Sequence, residues 1–196
     1  GAVNTVVNRD GKLYGYNTDF YGLSGLITRQ GVSLENKKVA ILGSGGTSNT
    51  AFAVANSMKA LSVLRVSREK QDGYITYDEL YEAYNDAEII INTTPCGMYP
   101  NIGKSAVELD KLSCVQAVFD AVYNPLSSKL VLDAKEKGIT AVGGLYMLVS
   151  QAAYAVEKFI DSPVEAEKVE KIFRNLYKEK MNIILIGMPA SGKTTV

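Results

Sequence analysis

The feature that most constrains this 196-residue chain is one short apolar run, Lys38-Val-Ala-Ile-Leu42. It ends directly in Gly43-Ser44-Gly45-Gly46 and continues into small and apolar residues over 46–58. A strand buried on both faces reads as a continuous apolar run. Glycines at its end allow a tight turn into a helix packed close to the sheet. The alternation then repeats. Leu61–Ser67 predicts the next strand, and Thr76-Tyr-Asp-Glu79 is a capping box that opens a helix through Leu80, Ala83 and Tyr84. Glu88–Asn92 and Val115–Val122 predict strands, Leu126–Lys137 a helix stopped by Gly138, and Ile139–Val142 a last strand. Strands alternating with helices at this spacing predict an α/β fold, a doubly wound, mostly parallel sheet with helices on both faces.

The flanks read differently. Asp10-Gly11 joins Ala2–Asn8 to Lys12–Tyr16 as a hairpin turn would. Leu145, Leu148, Ala152, Val156 and Phe159 keep steps of three and four, which predicts one buried face of a helix. Ser162-Pro163-Val164-Glu165 reads as a second capping box with proline at the first helical position, ahead of a stripe of Val169, Ile172, Phe173 and Leu176. At Met181 a fresh strand pattern begins, Met181–Ile186, followed by Gly187-Met-Pro-Ala-Ser-Gly192-Lys193-Thr194. The expected division is a hairpin remnant over 1–17, a Rossmann-like domain over 18–162, a helix over 163–180 and the start of a further unit over 181–196. The opening Gly1 and the alternating run Val3–Val7 lead us to expect that sequence upstream is missing.

Composition narrows the chemistry. There is no histidine, so Ser-His-Asp and Cys-His catalysis and the common histidine-based zinc sites are excluded, and no metal site is expected. Acid–base work falls to Asp, Glu, Lys, Tyr or Cys. Lys+Arg and Asp+Glu are 21 each, which gives no bulk attraction to nucleic acid or an anionic membrane. Cys96 and Cys114 have no CxxC spacing and read as reduced thiols of a cytoplasmic protein. The uncharged stretch from Gly138 to Val156 carries Gly143-Gly144, Thr140, Ser150 and Gln151, a poor membrane span but a good buried strand and helix.

Gly43, Ser44, Gly45, Gly46 and Thr47 stand where a strand meets a helix N-terminus. Unpaired N–H groups and the positive dipole end there accept a pyrophosphate. The third glycine of GxGxxG is replaced by Ser48, which is still small. The second strand ends Val66-Ser67-Arg68-Glu69. An arginine where NAD enzymes place an acid pairs with a 2′-phosphate, so Arg68 favours NADP(H), whereas Glu69 would select NAD. Asn92-Thr93-Thr94-Pro95-Cys96-Gly97-Met98 and Asp120–Pro125 follow later strands and should line the crevice at the sheet's carboxyl edge. Gln151 interrupts an apolar stripe and needs polar partners, which a polyhydroxylated ligand or a backbone carbonyl would supply. Asp19, in Asn17-Thr18-Asp19, either caps the helix that follows, as Thr18 would, or faces the crevice as a carboxylate for hydroxyls and protons.

Together these segments resemble the shikimate dehydrogenase family. They are Gly1-Ala-Val-Asn-Thr5, Gly15-Tyr-Asn-Thr-Asp19, Gly43-Ser-Gly-Gly46, Asn92-Thr-Thr-Pro-Cys-Gly-Met98, Asp120-Ala-Val-Tyr-Asn-Pro125 and Gly144-Leu-Tyr-Met-Leu-Val-Ser-Gln151, in that order over roughly residues 1–160. The resemblance implies reduction of 3-dehydroshikimate to shikimate with NADPH. Asn4, Asp19, Tyr123 and Gln151 would contact substrate, with Asp19 half of a Lys–Asp pair. The turn 43–47, Ser67 and Arg68 would hold the cofactor, and Thr93, Ala121 and Gly144 would lie near its nicotinamide. The family's lysine belongs to a segment upstream of Gly1, so little or no turnover is expected of this chain alone. Asn49, where many relatives carry arginine, and Ser67-Arg68-Glu69 depart from the family pattern. The resemblance also allows a homodimer.

Met181–Val196 resembles the first strand and P-loop of shikimate kinase. Gly187 and Gly192 shape the loop, Lys193 would reach β/γ-phosphates and Thr194 would ligate Mg²⁺. With the remainder of a kinase absent, ATP and Mg²⁺ binding is not expected here. Rival readings are an NAD-dependent quinate/shikimate dehydrogenase, a P-loop phosphotransferase with this region as accessory, and a non-catalytic dinucleotide sensor.

Overall fold

The structure is a computed structural model that describes residues 2–181. β1 (Thr5–Arg9) and β2 (Lys12–Tyr16) form the expected antiparallel hairpin, with Asp10 and Gly11 both at positive φ (52° and 82°). α1 (Thr18–Arg29) leads to β3 (Lys38–Leu42), α2 (Gly46–Ser57), β4 (Ser62–Ser67) and β5 (Ile75–Thr76). α3 (Tyr77–Ala83), β6 (Ile89–Asn92), β7 (Ala117–Asp120), α4 (Lys129–Glu136) and β8 (Thr140–Val142) complete the sheet region. α5 (Leu145–Ile160) and α6 (Ala166–Lys180) close it.

Six parallel strands run in the order β5-β4-β3-β6-β7-β8. Strand alternation divides the interior into two cores. Val39, Ile41, Ile89, Ile91, Ala117 and Phe119 face α1, α2 and α5. Ala40, Leu42, Ile90, Val118 and Val66 face Leu80 of α3 and Leu130 and Ala134 of α4. The chain leaves β3 in one direction to reach β4 and returns to the other side for β6. The carboxyl ends of β3 and β6 therefore flank the point where the strand order reverses, which is where open α/β sheets hold ligands.

The Thr76 capping box is present, with Glu79 N–H donating to Thr76 Oγ1 and Thr76 N–H to Glu79 Oε2. The second one is not. α6 begins at Ala166 with Glu165 as N-cap and no side-chain cap. Asp161 ends α5 in the left-handed region (φ 54°), and Glu157 Oε1 takes the Val164 N–H. Residues 162–164 are thereby held as a link rather than a helical turn.

The expected face of α5 also needs correction. Its buried residues are Leu145, Met147 and Val149, while Val156 and Phe159 are 44% and 60% exposed. The cause is α1, which crosses α5 at Gly22. A Cβ there would lie 2.7 Å from the Met147 carbonyl oxygen and 2.9 Å from Gln151 Cβ. Tyr21 stacks on Tyr154 at 3.7 Å between ring centroids. The stripe turned to α1 is therefore Met147, Gln151 and Tyr154. Arg29, paired with Glu170 at 2.9 Å and lying over Tyr146 and Phe173, pins α1, α5 and α6 together.

The strand expected over Val115–Val122 contracts to Ala117–Asp120. The helix expected from Leu126 starts at Lys129, because Ser128 caps it through the Val131 N–H. The strand expected over Met181–Ile186 and the loop of Gly187, Gly192, Lys193 and Thr194 lie outside the described residues.

Candidate functional site

A cleft of about 810 Å³ opens over the carboxyl ends of β3, β4 and β6. Gly43, Ser44 and Gly45 form one wall, Ser67 and Arg68 a second, and the loop from Thr93 to Gly97 a third. Gly43 adopts φ +114°, and a Cβ on it would sit 2.7 Å from Thr93 Oγ1. Thr93 Oγ1 in turn donates to the Leu42 carbonyl at 2.6 Å. This glycine is therefore fixed by both its backbone and its neighbour.

Gly45 and Gly46 are different. Gly45 N-caps α2 with ordinary extended φ (−84°), and a Cβ on either residue meets nothing within 4 Å. Nothing among the described residues requires glycine there. A phosphate drawn to the free N–H groups of the first turn would require it. These residues fit a dinucleotide pyrophosphate. Gly46 and half-buried Thr47 continue into α2 behind the cleft wall.

Arg68 is exposed at the cleft and has no ion pair among the described residues. The buried Ser67 hydroxyl donates to the Glu69 carbonyl, which shapes the strand end. Burial raises the pKa of the Cys96 thiol, and Tyr77 is pushed up to about 12, chiefly by burial. Neither group supplies an anion to the cleft at neutral pH.

Ala121 and Gly144 pack against each other outside this cleft. A Cβ on Gly144 would lie 2.3 Å from the Ala121 carbonyl oxygen, so the loops after β7 and β8 meet there backbone to backbone. Beneath them Asp120 is fully buried, and burial raises its pKa. Three contacts oppose that shift: the Ser128 hydroxyl, the Val122 N–H at 3.0 Å and Asn92 Nδ2 at 2.8 Å. Asn92 Oδ1 then takes the N–H and hydroxyl of Thr94. Asp120, a candidate crevice residue by its position, is instead the anchor that aligns two crevice loops.

A second polar cluster forms where α1 starts. Thr18 is completely buried. Its N–H donates to Asn4 Oδ1 at 2.8 Å, and its hydroxyl reaches Gln151 Oε1 and Asn4 Oδ1, both at 3.1 Å. Neither Thr18 nor Asp19 caps α1. Asn17 is the N-cap residue, and the Asn4 side chain serves the first N–H. With both amide oxygens engaged, Gln151 Nε2 donates to no described residue. Asp19, half-buried beside them, has its pKa raised by burial and lowered by Asn4, and it makes no ion pair among the described residues. Two amides gathered on the Thr18 hydroxyl, with a carboxylate next in sequence, suit a polyhydroxylated molecule.

Asn17 ties the two regions together, since its Nδ2 donates to Thr50 Oγ1 of α2 at 2.9 Å while its Oδ1 is buried without a donor. Tyr123 lies in the loop after β7, 41% exposed, with no described hydrogen bond to this cluster. Thr50 had no signal of its own in the sequence, and Thr18 read only as a helix cap. Their roles depend on partners up to 133 positions away.

The fold and the crevice at its switch point define a Rossmann-like α/β protein of the ligand-binding, doubly wound class. Relatives narrow this further. The shikimate dehydrogenase (NADP(+)) of Clostridium perfringens is 38% identical over 186 residues, covering 90% of this chain and 68% of the relative. A crystal structure of a chorismate mutase/shikimate 5-dehydrogenase fusion protein from Clostridium acetobutylicum superposes with a TM-score of 0.86 at 33% identity. That match covers 91% of this chain and 68% of the other. The Thermus thermophilus shikimate 5-dehydrogenase in complex with NADP(H) and shikimate gives 0.75 at 27% identity, covering 89% and 68%. No protein-family model matches the chain. This chain belongs to the shikimate dehydrogenase family. Among the described residues no helix is long and apolar enough to cross a membrane.

Proposed function

We propose that the chain binds NADP(H) in the crevice between β3 and β6 and presents part of a site for shikimate and 3-dehydroshikimate at the N-terminus of α1. The single observation that carries this reading is the pairing of an open glycine cradle with an amide–carboxylate cluster, joined through the Asn17–Thr50 hydrogen bond. NADPH, when bound, supplies a hydride to the carbonyl carbon of 3-dehydroshikimate.

The chain's own residues do the rest. The first turn of α2 neutralises the pyrophosphate, and Arg68 pairs with the 2′-phosphate. Thr93 braces the glycine turn, and Ala121 and Gly144, beyond the cleft at the ends of β7 and β8, lie toward the nicotinamide. Gln151 Nε2 and the Asn4 amide donate to substrate oxygens. Tyr123 reaches the substrate from the β7 loop. In the reduction the former carbonyl oxygen must gain a proton. Asp19, its pKa raised by burial, gives that proton or orients the group that delivers it, and takes the hydroxyl proton back in the reverse oxidation.

No lysine pairs with Asp19 among the described residues. We therefore read this chain as a cofactor-binding portion with little turnover by itself. Loss of one member of an acid–base pair costs ~10²–10⁴ in rate.

The test is ligand-observed NMR with shikimate and NADP⁺, run beside an NADPH-oxidation assay with 3-dehydroshikimate. Shikimate signals that require NADP⁺ and vanish in Gln151→Ala, with turnover at least ~10²-fold below that of a complete relative, are expected. Turnover at a relative's full rate would overturn the low-activity reading. Absence of NADP⁺ binding would overturn the site.

A further inference from the structure

Arg65 lies in the middle of β4, paired in register with Ile41, and shares a sheet face with Val63 and Ser67. Val63 packs into the α1–α2–α5 core, so this face is the one that α2 covers. A guanidinium on such a face ordinarily finds a carboxylate or reaches water. This one does neither completely. Its Nη2 donates to Asn49 Oδ1 at 2.5 Å, and its carbon sits 4.1 Å from the Tyr74 ring centroid and 5.5 Å from that of Phe52. Its Nε is buried with no acceptor, and no carboxylate pairs with it among the described residues. Burial lowers its pKa with no opposing partner. The chain therefore holds a partly desolvated cation, locked in place by two rings and an amide, with its charge unanswered.

Its location says which anion would answer it. Asn49 is in the first turn of α2, directly after the open glycine cradle, and Ser67 and Arg68 follow Arg65 at the strand end that walls the cleft. In a dinucleotide lying across a glycine turn, the ribose 2′ oxygen faces the end of the second strand. A guanidinium brings planar, forked donors suited to phosphate oxygens. We propose that Arg65, held by Asn49 and Tyr74, is a second cation of the 2′-phosphate site and determines the preference for NADP(H) together with Arg68.

This inference rests on the dinucleotide reading above, and the experiment separates the two. NADP⁺ and NAD⁺ are titrated calorimetrically into the wild-type chain, Arg65→Met, Arg65→Lys, Asn49→Ala and Arg68→Ala, with a ligand-free melting curve for each. Arg65→Met should weaken NADP⁺ about 10–100-fold and leave NAD⁺ unchanged. Arg65→Lys should fall between wild type and Met, because charge is kept and the fork is lost. Asn49→Ala should weaken NADP⁺ selectively by a smaller factor.

If Arg65→Met leaves the NADP⁺/NAD⁺ ratio unchanged while Arg68→Ala lowers it, the role of Arg65 is overturned and the cofactor reading stands. Equal weakening of both nucleotides with a lowered melting temperature would make Arg65 a structural pin and overturn the proposal. If Arg65→Met does not fold, the ratios in Arg65→Lys and Asn49→Ala decide. Wild-type protein that binds neither nucleotide, or binds both equally, would overturn the underlying reading as well.

Discussion

Replacing Gly45 by alanine separates a ligand's demand for glycine from the protein's own. Gly45 has an ordinary φ of −84°, and the added methyl group meets nothing within 4 Å. Removing glycine flexibility from the unfolded chain stabilises by ~0.4–1 kcal/mol. Alanine is a poorer N-cap than glycine by a comparable amount, ~0.5 kcal/mol. The two nearly cancel, so the melting temperature should move by no more than about 3 °C. A bound pyrophosphate that approaches the Gly45 backbone would meet the methyl group directly. A loss of about 1.4–2.8 kcal/mol corresponds to roughly 10–100-fold weaker binding.

Gly144→Ala is the control. Its methyl would lie 2.3 Å from the Ala121 carbonyl oxygen with backbone on both sides, so one loop must move whether or not cofactor is present. Strain of this kind costs ~1–3 kcal/mol. Differential scanning fluorimetry and NADP⁺ titration of both variants give the comparison. If Gly45→Ala keeps NADP⁺ affinity within twofold, or lowers the melting temperature as far as Gly144→Ala does, the assignment of Gly45 to a phosphate is refuted.

Further consequences concern the polar clusters. Thr18→Val should cost ~1–2 kcal/mol by removing the hydroxyl that Gln151 Oε1 shares with Asn4 Oδ1, while the residue-18 N–H still serves Asn4, and urea unfolding measures it; an unchanged midpoint would remove Thr18 from the centre of the cluster. Asp120→Ala strands the donors of Asn92, Val122 and Ser128 and should cost at least ~2 kcal/mol in the same assay, whereas a neutral effect would mean that the crevice loops hold without it. Burial raises the folded pKa of Asp19 above its unfolded value, so its contribution to stability is full at low pH and is lost as pH rises through the folded pKa. Asp19→Asn should therefore melt higher than wild type near neutral pH, with a gain that fades below about pH 4; a gain independent of pH would contradict the assignment.

The alternation of strands and helices was readable because buried strands are continuous apolar runs and their turns carry glycine. The capping box at Thr76 was equally readable, since all its atoms lie within four residues. The same motif at Ser162 failed because Glu157, in the preceding helix, had already taken the Val164 N–H. The face of α5 is set by tertiary packing rather than by period. Period alone selected Val156 and Phe159, whereas the approach of α1 at Gly22 selects Met147 and Gln151.

At the site, only the family resemblance groups Asn4, Asp19, Tyr123 and Gln151; their spacing in the sequence does not. Only the folded chain brings Asn4 and Gln151 to the Thr18 hydroxyl, because that oxygen joins a loop, a helix start and a distant helix. Arg65 gave no sequence signal either. An arginine inside a strand next to a sheet edge reads as solvated, and its lack of a counter-charge appears only when α2 and Tyr74 close over it.

The most direct test of the central claim is fluorescence titration of this chain with NADPH and, in parallel, NADH, repeated on Arg68→Ala. Preferential NADPH binding that falls about tenfold or more in Arg68→Ala, with NADH unchanged, is the predicted result. NADH binding equal to or tighter than NADPH, or no binding of either nucleotide, would contradict it.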